Sequence, residues 1–148
     1  MPTLLLMAVL LLLDQGTKWY VTQKLSVRQS IPVIKNVFHI TYIRNPGAAF
    51  SILSHRPALL IVIATVVTIG LVVFFYSVPV EQKLLRLALT FAIAGALGNL
   101  IDRLRLGYVV DFLDFRVWPI FNVADIAIFM AIGLLVLDLA RTPGGKGI

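Results

Sequence analysis

No cysteine occurs in the chain, so disulfides, thiolate metal sites and a thiol nucleophile are excluded together. Histidine is nearly absent as well. His39 and His55 are the two present, with no HExxH spacing, and hydrolysis at a histidine-held zinc is not expected. Charge is the third scarcity: charged residues make up 14% of the sequence and hydrophobic residues 59%, whereas a soluble domain carries roughly 25% charged residues. With a mean hydropathy of +0.96, the 148 residues read as one integral membrane domain in which lipid replaces most of a large buried core. The formal charge of +6 comes from basic residues scattered singly between apolar runs. That pattern makes membrane phospholipid headgroups the expected partner and argues against nucleic acid. No cofactor and no metal is expected, and a monomer is.

Apolar segments at about 4–22, 58–78, 84–102 and 121–140 each approach the ~20 helical residues that cross a bilayer. The first apolar run, Leu4 to Leu13, is too short alone, and the span has to continue through Asp14. A cleaved signal peptide is not expected, because Met1-Pro2-Thr3 supplies no positive leading region. Between the first two spans, at about 24–56, prolines, polar residues and β-branched residues replace the apolar run. Ile31 to Ile34 and Val37 to Ile43 read as short strands with a tight turn at Lys35-Asn36, and Asn45-Pro46-Gly47 breaks the second. The expected fold is a mainly α membrane protein: four transmembrane helices with a small extramembrane β element between helices 1 and 2. The stretch from 106 to 119 is expected to be a loop.

The acidic residues are not spread evenly. Four of the seven lie between Gly95 and Ile128, with Asn99, Asn122 and three arginines. Ionisable groups at the edge of a span cost several kcal/mol unless they face a cavity or one another, so this clustering calls for a function. Asn99, Asp102 and Arg103 share a helix face by their spacing, as do Asn122 and Asp125. Asp14 and Lys18, four apart near the end of the first span, form either part of the same cluster or a snorkelling pair at the interface. If Asp111 and Asp125 converge, like charges prevent both from ionising, and the site contains an acid and a base. With no Ser-His or Ser-Lys arrangement in view, carboxylate-activated water is the economical nucleophile. A proton-coupled transporter is the rival, but it predicts acids near the bilayer midplane on several helices. These gather at one end. A membrane subunit without chemistry leaves their cost unexplained.

The motifs GNLIDRLR at 98–105, GYVVDF at 107–112 and FNVAD at 121–125 resemble those of the bacterial lipoprotein signal peptidases, or signal peptidase II. DQGTK at 14–18, RNPGAAFS at 44–51 and the span layout extend the likeness over nearly the whole chain. The resemblance implies an aspartic endopeptidase of the bacterial inner membrane that removes signal peptides from prolipoproteins, cutting before a diacylglyceryl-modified cysteine. It makes Asp111 and Asp125 the catalytic pair and assigns Asp14, Asn45, Asn99, Arg103 and Asn122 to the surrounding site. It also puts the cluster on the outer face, whereas counting basic residues between spans puts it in the cytoplasm. Ile126, where many members carry a small polar residue, and the short loop at 114–121 depart from the pattern. The segment from Asn45 to Ser51 is expected to cover the site as a lid, with Gly47 as hinge and Phe50 as apolar contact.

Overall fold

The computed structural model describes residues 2–47 and 57–141. Helix α1 spans Pro2–Lys24, strands β1 and β2 span Ser30–Ile34 and Phe38–Asn45, and helix α2 spans Pro57–Ser77. Helix α3 (Lys83–Leu106), strand β3 (Val109–Asp114) and helix α4 (Val123–Arg141) complete the order. All four helices are long and apolar enough to cross a membrane. Each expected span is therefore present, although α3 runs several residues further than its hydropathy indicates, carrying Asp102 to Arg105 as helix.

Helix α3 is the central one and packs against α1, α2 and α4. Small residues permit the approach. A side chain at Gly95 would collide with the Ala124 carbonyl oxygen, and one at Gly98 would lie 2.5 Å from Asp14 Oδ2. The outward faces of α1, α2 and α4 are lined with exposed residues such as Leu12, Val66 and Leu139, as lipid-facing helices require. At the other end of the bundle Arg86 reaches back to the Phe75 and Val78 carbonyls at 3.2 and 2.7 Å and lies over the Phe75 ring, closing the last turn of α2.

The β element is larger than the hairpin the sequence indicates. β1 pairs antiparallel with β2 across a turn in which Asn36 takes a φ of 62°, and β2 continues through Asn45 rather than ending at Ile43. The stretch expected to be a loop at 106–119 instead holds β3, paired antiparallel with β2 so that the sheet order is β1-β2-β3. Gly107 makes this possible. Its φ of 79° ends α3, its N–H donates to the Arg103 carbonyl, and the chain reverses into the strand. Phe121 then bonds back to Leu113, closing the short loop between β3 and α4.

Alternation along β3 separates its side chains. Val110 and Phe112 join Tyr42, Val21 and Leu25 in a core between the sheet and the end of α1. Asp114 belongs to that same face by period, where the Thr41 hydroxyl donates to it at 2.8 Å. Asp111 points the opposite way.

Candidate active site

Asp111 and Asp125 meet at the end of the helix bundle. Asn122 immediately precedes α4, and its Oδ1 accepts the Asp125 N–H at 3.0 Å while Asp125 Oδ2 accepts the Asn122 N–H at 3.2 Å. These reciprocal bonds are a capping box, which fixes the Asp125 carboxylate at the helix N-terminus. The same asparagine reaches β3, with Nδ2 donating to Asp111 Oδ1 at 2.7 Å. Asn122 thus bridges the two carboxyl groups.

Each carboxylate has a further amide donor. Asn45, two residue pairs along the β2–β3 ladder from Asp111 and so on the same face, donates from Nδ2 to Asp111 Oδ2 at 2.8 Å. Asn99 of α3 donates from Nδ2 to Asp125 Oδ1 at 2.8 Å. Arg103, one turn further along α3, lines the same cavity and donates to the Asn99 carbonyl at 3.3 Å. Burial pushes the Asp111 carboxyl up to about 6, helped by the nearby Asp125, with the Asn45 and Asn122 donors and the Lys18 charge acting the other way.

Beneath this layer lies an ionic one. Asp14 is buried, accepting the Ala124 N–H at 2.9 Å and pairing with Lys18 Nζ at 2.9 Å. Lys18 is 3% exposed and also contacts Asp102 Oδ2 at 3.1 Å. Gln15 donates to Asp14 and Asp102 at 3.0 Å each. Asp102 in turn accepts the Val110 N–H at 2.9 Å, tying β3 to α3. The snorkelling reading of Asp14 and Lys18 is therefore replaced by a buried network joining α1, α3, β3 and α4. Lys18, Gln15 and Asp102 are absent from the expected site residues, although a lysine four residues from an acid within an apolar span is a signal that could have included it.

The carboxylates open onto a cavity of about 960 Å³. Its polar end is formed by Asn45, Asn99, Arg103, Asp111 and Asp125, and its walls by Leu60, Ile63, Val67, Ile128, Phe129 and Trp118 among others. Gly47 borders it with a φ of 105°, its N–H donating to Asn45 Oδ1 at 2.9 Å. That φ favours glycine, and a side chain there would have to displace the Leu60 methyl 2.5 Å away. Phe50, the expected apolar contact of a lid, lies outside the described residues together with the rest of 48–56. Asp114 lies on the opposite face of β3 from Asp111, bonded to Thr41 and Arg116. Burial pushes its carboxyl up, but the Thr41 hydroxyl and Arg116 outweigh this and hold it below the usual range. Among the described residues no group of three or more His, Cys, Asp or Glu is placed to hold a metal ion.

Four apolar spans with two bridged carboxyl groups facing an apolar-walled cavity at one end define a multi-pass membrane protein with a paired-carboxyl site. The fold is similar over 99% of the chain to a solved bacterial membrane enzyme, determined by the in meso method, with 94% of that chain covered, 31% identity and a TM-score of 0.83. The family model described as Signal peptidase (SPase) II matches residues 6–141. The lipoprotein signal peptidase of Moorella thermoacetica is 44% identical over 147 residues, covering 99% of this chain and 98% of the relative. That of Halothermothrix orenii is 50% identical over 131 residues, covering 88% and 90%. The chain belongs to the signal peptidase II family and is a peptidase.

Removing a donor from an ionised carboxylate favours its protonated form. In Asn45→Ala, the Asp111 carboxyl should titrate above its value of about 6. Carboxyl carbon shifts of labelled aspartate, followed against pH in micelles, measure this.

Proposed function

We propose that the protein is an aspartic endopeptidase that removes the signal peptide from diacylglyceryl-modified prolipoproteins, with Asp111 and Asp125 as its catalytic pair. The carrying observation is that both carboxyl groups open onto one cavity and are bridged by Asn122. Asp125, held at the N-terminus of α4 by two N–H donors, acts as base and takes a proton from water as its oxygen attacks the scissile carbonyl carbon. Asp111, whose burial favours the protonated form, gives its proton to the carbonyl oxygen. When the tetrahedral intermediate collapses, the C–N bond breaks and Asp125 returns its proton to the leaving amine, while Asp111 recovers a hydroxyl proton. The active form thus holds one proton on the pair. kcat/KM of the free enzyme falls as pH rises through the Asp111 value, because the proton-donating member is then lost.

The cavity supports the substrate class. A signal peptide is an apolar helix and the diacylglyceryl group is apolar, so both reach the site sideways from the bilayer along walls such as Ile63, Val67 and Phe129. The scissile bond needs water, and a site at the end of the spans meets both conditions. Arg103, Asn45 and Asn99 line the polar end and are available to the substrate backbone. Asp14 acts through the helices it ties, and Gly47 gives the chain room to pass beside Leu60. The setting is the bacterial inner membrane, with the sheet and site toward the outer face.

Asp111→Asn and Asp125→Asn each abolish cleavage of a lipid-modified prolipoprotein by the purified protein while insertion is retained, since an amide supplies neither base nor shared acid. Asp114→Asn keeps turnover and lowers stability, as it weakens the contacts to Thr41 and Arg116. Substantial turnover by either dyad variant would remove the assignment.

Sidedness is tested with single cysteines at Ser30, Gln82 and Gly145, introduced into a chain that has none. An impermeant thiol reagent on whole cells labels position 30 alone. Labelling at 82 and 145 instead would place the site in the cytoplasm.

A further inference from the structure

Lys18 uses all three of its donors inside the protein: Asp14 Oδ2 at 2.9 Å, Asp102 Oδ2 at 3.1 Å and Asn99 Oδ1 at 3.0 Å. The third contact leads to the reacting groups. An amide of asparagine can face either way, but an ammonium only donates, so the end of Asn99 turned toward Lys18 has to be its oxygen. The Nδ2 end is thereby turned to Asp125 Oδ1 at 2.8 Å. Without Lys18, Asn99 Oδ1 keeps only the longer 3.2 Å donor from Asn122 Nδ2, which is shared with Asp111. We infer that Lys18 is a positioning residue for the reaction, fixing through Asn99 the orientation of Asp125 and biasing by its charge where the dyad's proton is held.

Charged and polar groups approach the pair from four elements, while α2 contributes only apolar wall. Asp14 and Lys18 face it from α1, Asn45 and Arg44 from β2, Asn99, Asp102 and Arg103 from α3, and Asn122 from α4. Lys18 is the cation that α1 contributes, and its field acts to lower the Asp111 carboxyl. Two carboxylates accompany it, so the three-residue ionic network has one excess negative charge when fully ionised.

The inference rests on Asp111 and Asp125 being the catalytic pair, and the test separates the two. Full-length Lys18→Met, the charge-balanced Lys18→Met/Asp102→Asn pair, Asp111→Asn and Asp125→Asn are assayed side by side in micelles. The substrate is a lipid-modified prolipoprotein peptide, and unfolding midpoints are recorded for each. The charge-balanced variant removes the ammonium while keeping the same excess charge. In the folded Lys18 variants kcat is expected to fall roughly 10- to 100-fold with KM within about 2-fold. The descending limb of kcat/KM should move to higher pH by about half a unit or more in Lys18→Met. A lowered midpoint with wild-type kcat and an unmoved limb would make Lys18 structural only, as would failure of both variants to fold. Turnover by Asp111→Asn or Asp125→Asn would overturn the dyad itself. Inactive dyad variants beside wild-type behaviour of the Lys18 variants would overturn only the role of the lysine.

Discussion

A lysine ammonium held between two buried carboxylates and an asparagine amide, near the end of α1, is the interaction on which the rest of the arrangement depends. Charges at this depth survive only when paired, and removing one member of such a group costs about 3–5 kcal/mol because the others are left uncompensated. The pairing partners come from different elements. Asp14 on α1 accepts the backbone N–H of Ala124 on α4, and Asp102 on α3 accepts that of Val110 on β3. Satisfying the charges therefore requires bringing together the elements that carry Asp111 and Asp125. The ionic network acts as a foundation, with Asp111 and Asp125 one layer above it.

The sheet serves the same end from outside the bundle. β3 follows α3 through Gly107 and pairs with β2, so that its apolar face covers the end of α1 while Asp111 faces the cavity. A loop at this point would leave the Asp111 backbone without ladder bonds and its carboxyl without the Asn45 donor. Burial between the sheet and the helix ends raises the Asp111 carboxyl to about 6.

Asn122 shows how local and tertiary requirements coincide. As the residue before α4 it satisfies helix N–H groups that have no partner within the helix, a role asparagine fills in many proteins. Here its other amide end is directed at Asp111, so a helix cap also bridges Asp111 and Asp125. The depth of the site follows from this, because the start of α4 and the end of α3 set where the polar groups stand relative to the apolar walls of the cavity.

Hydropathy is a local property of the chain, which is why the four spans, and the β1–β2 hairpin between the first two, were legible in the sequence. The scarcity of acids made the site legible as well. Where only seven occur in 148 residues and four of them fall between Gly95 and Ile128, their position alone marks them. The sequence motifs further singled out Asp111, Asp125 and the asparagines that the fold brings into contact. β3 was not legible, because its partner β2 lies on the far side of two complete helices and no local periodicity records a pairing between strands so distant. Lys18 was visible as an ion but not as a partner of Asn99, since spacing on α1 carries no information about what α3 presents to it. The raised Asp111 carboxyl likewise belongs to the tertiary structure, because it comes from burial against neighbouring elements that no stretch of sequence around it records.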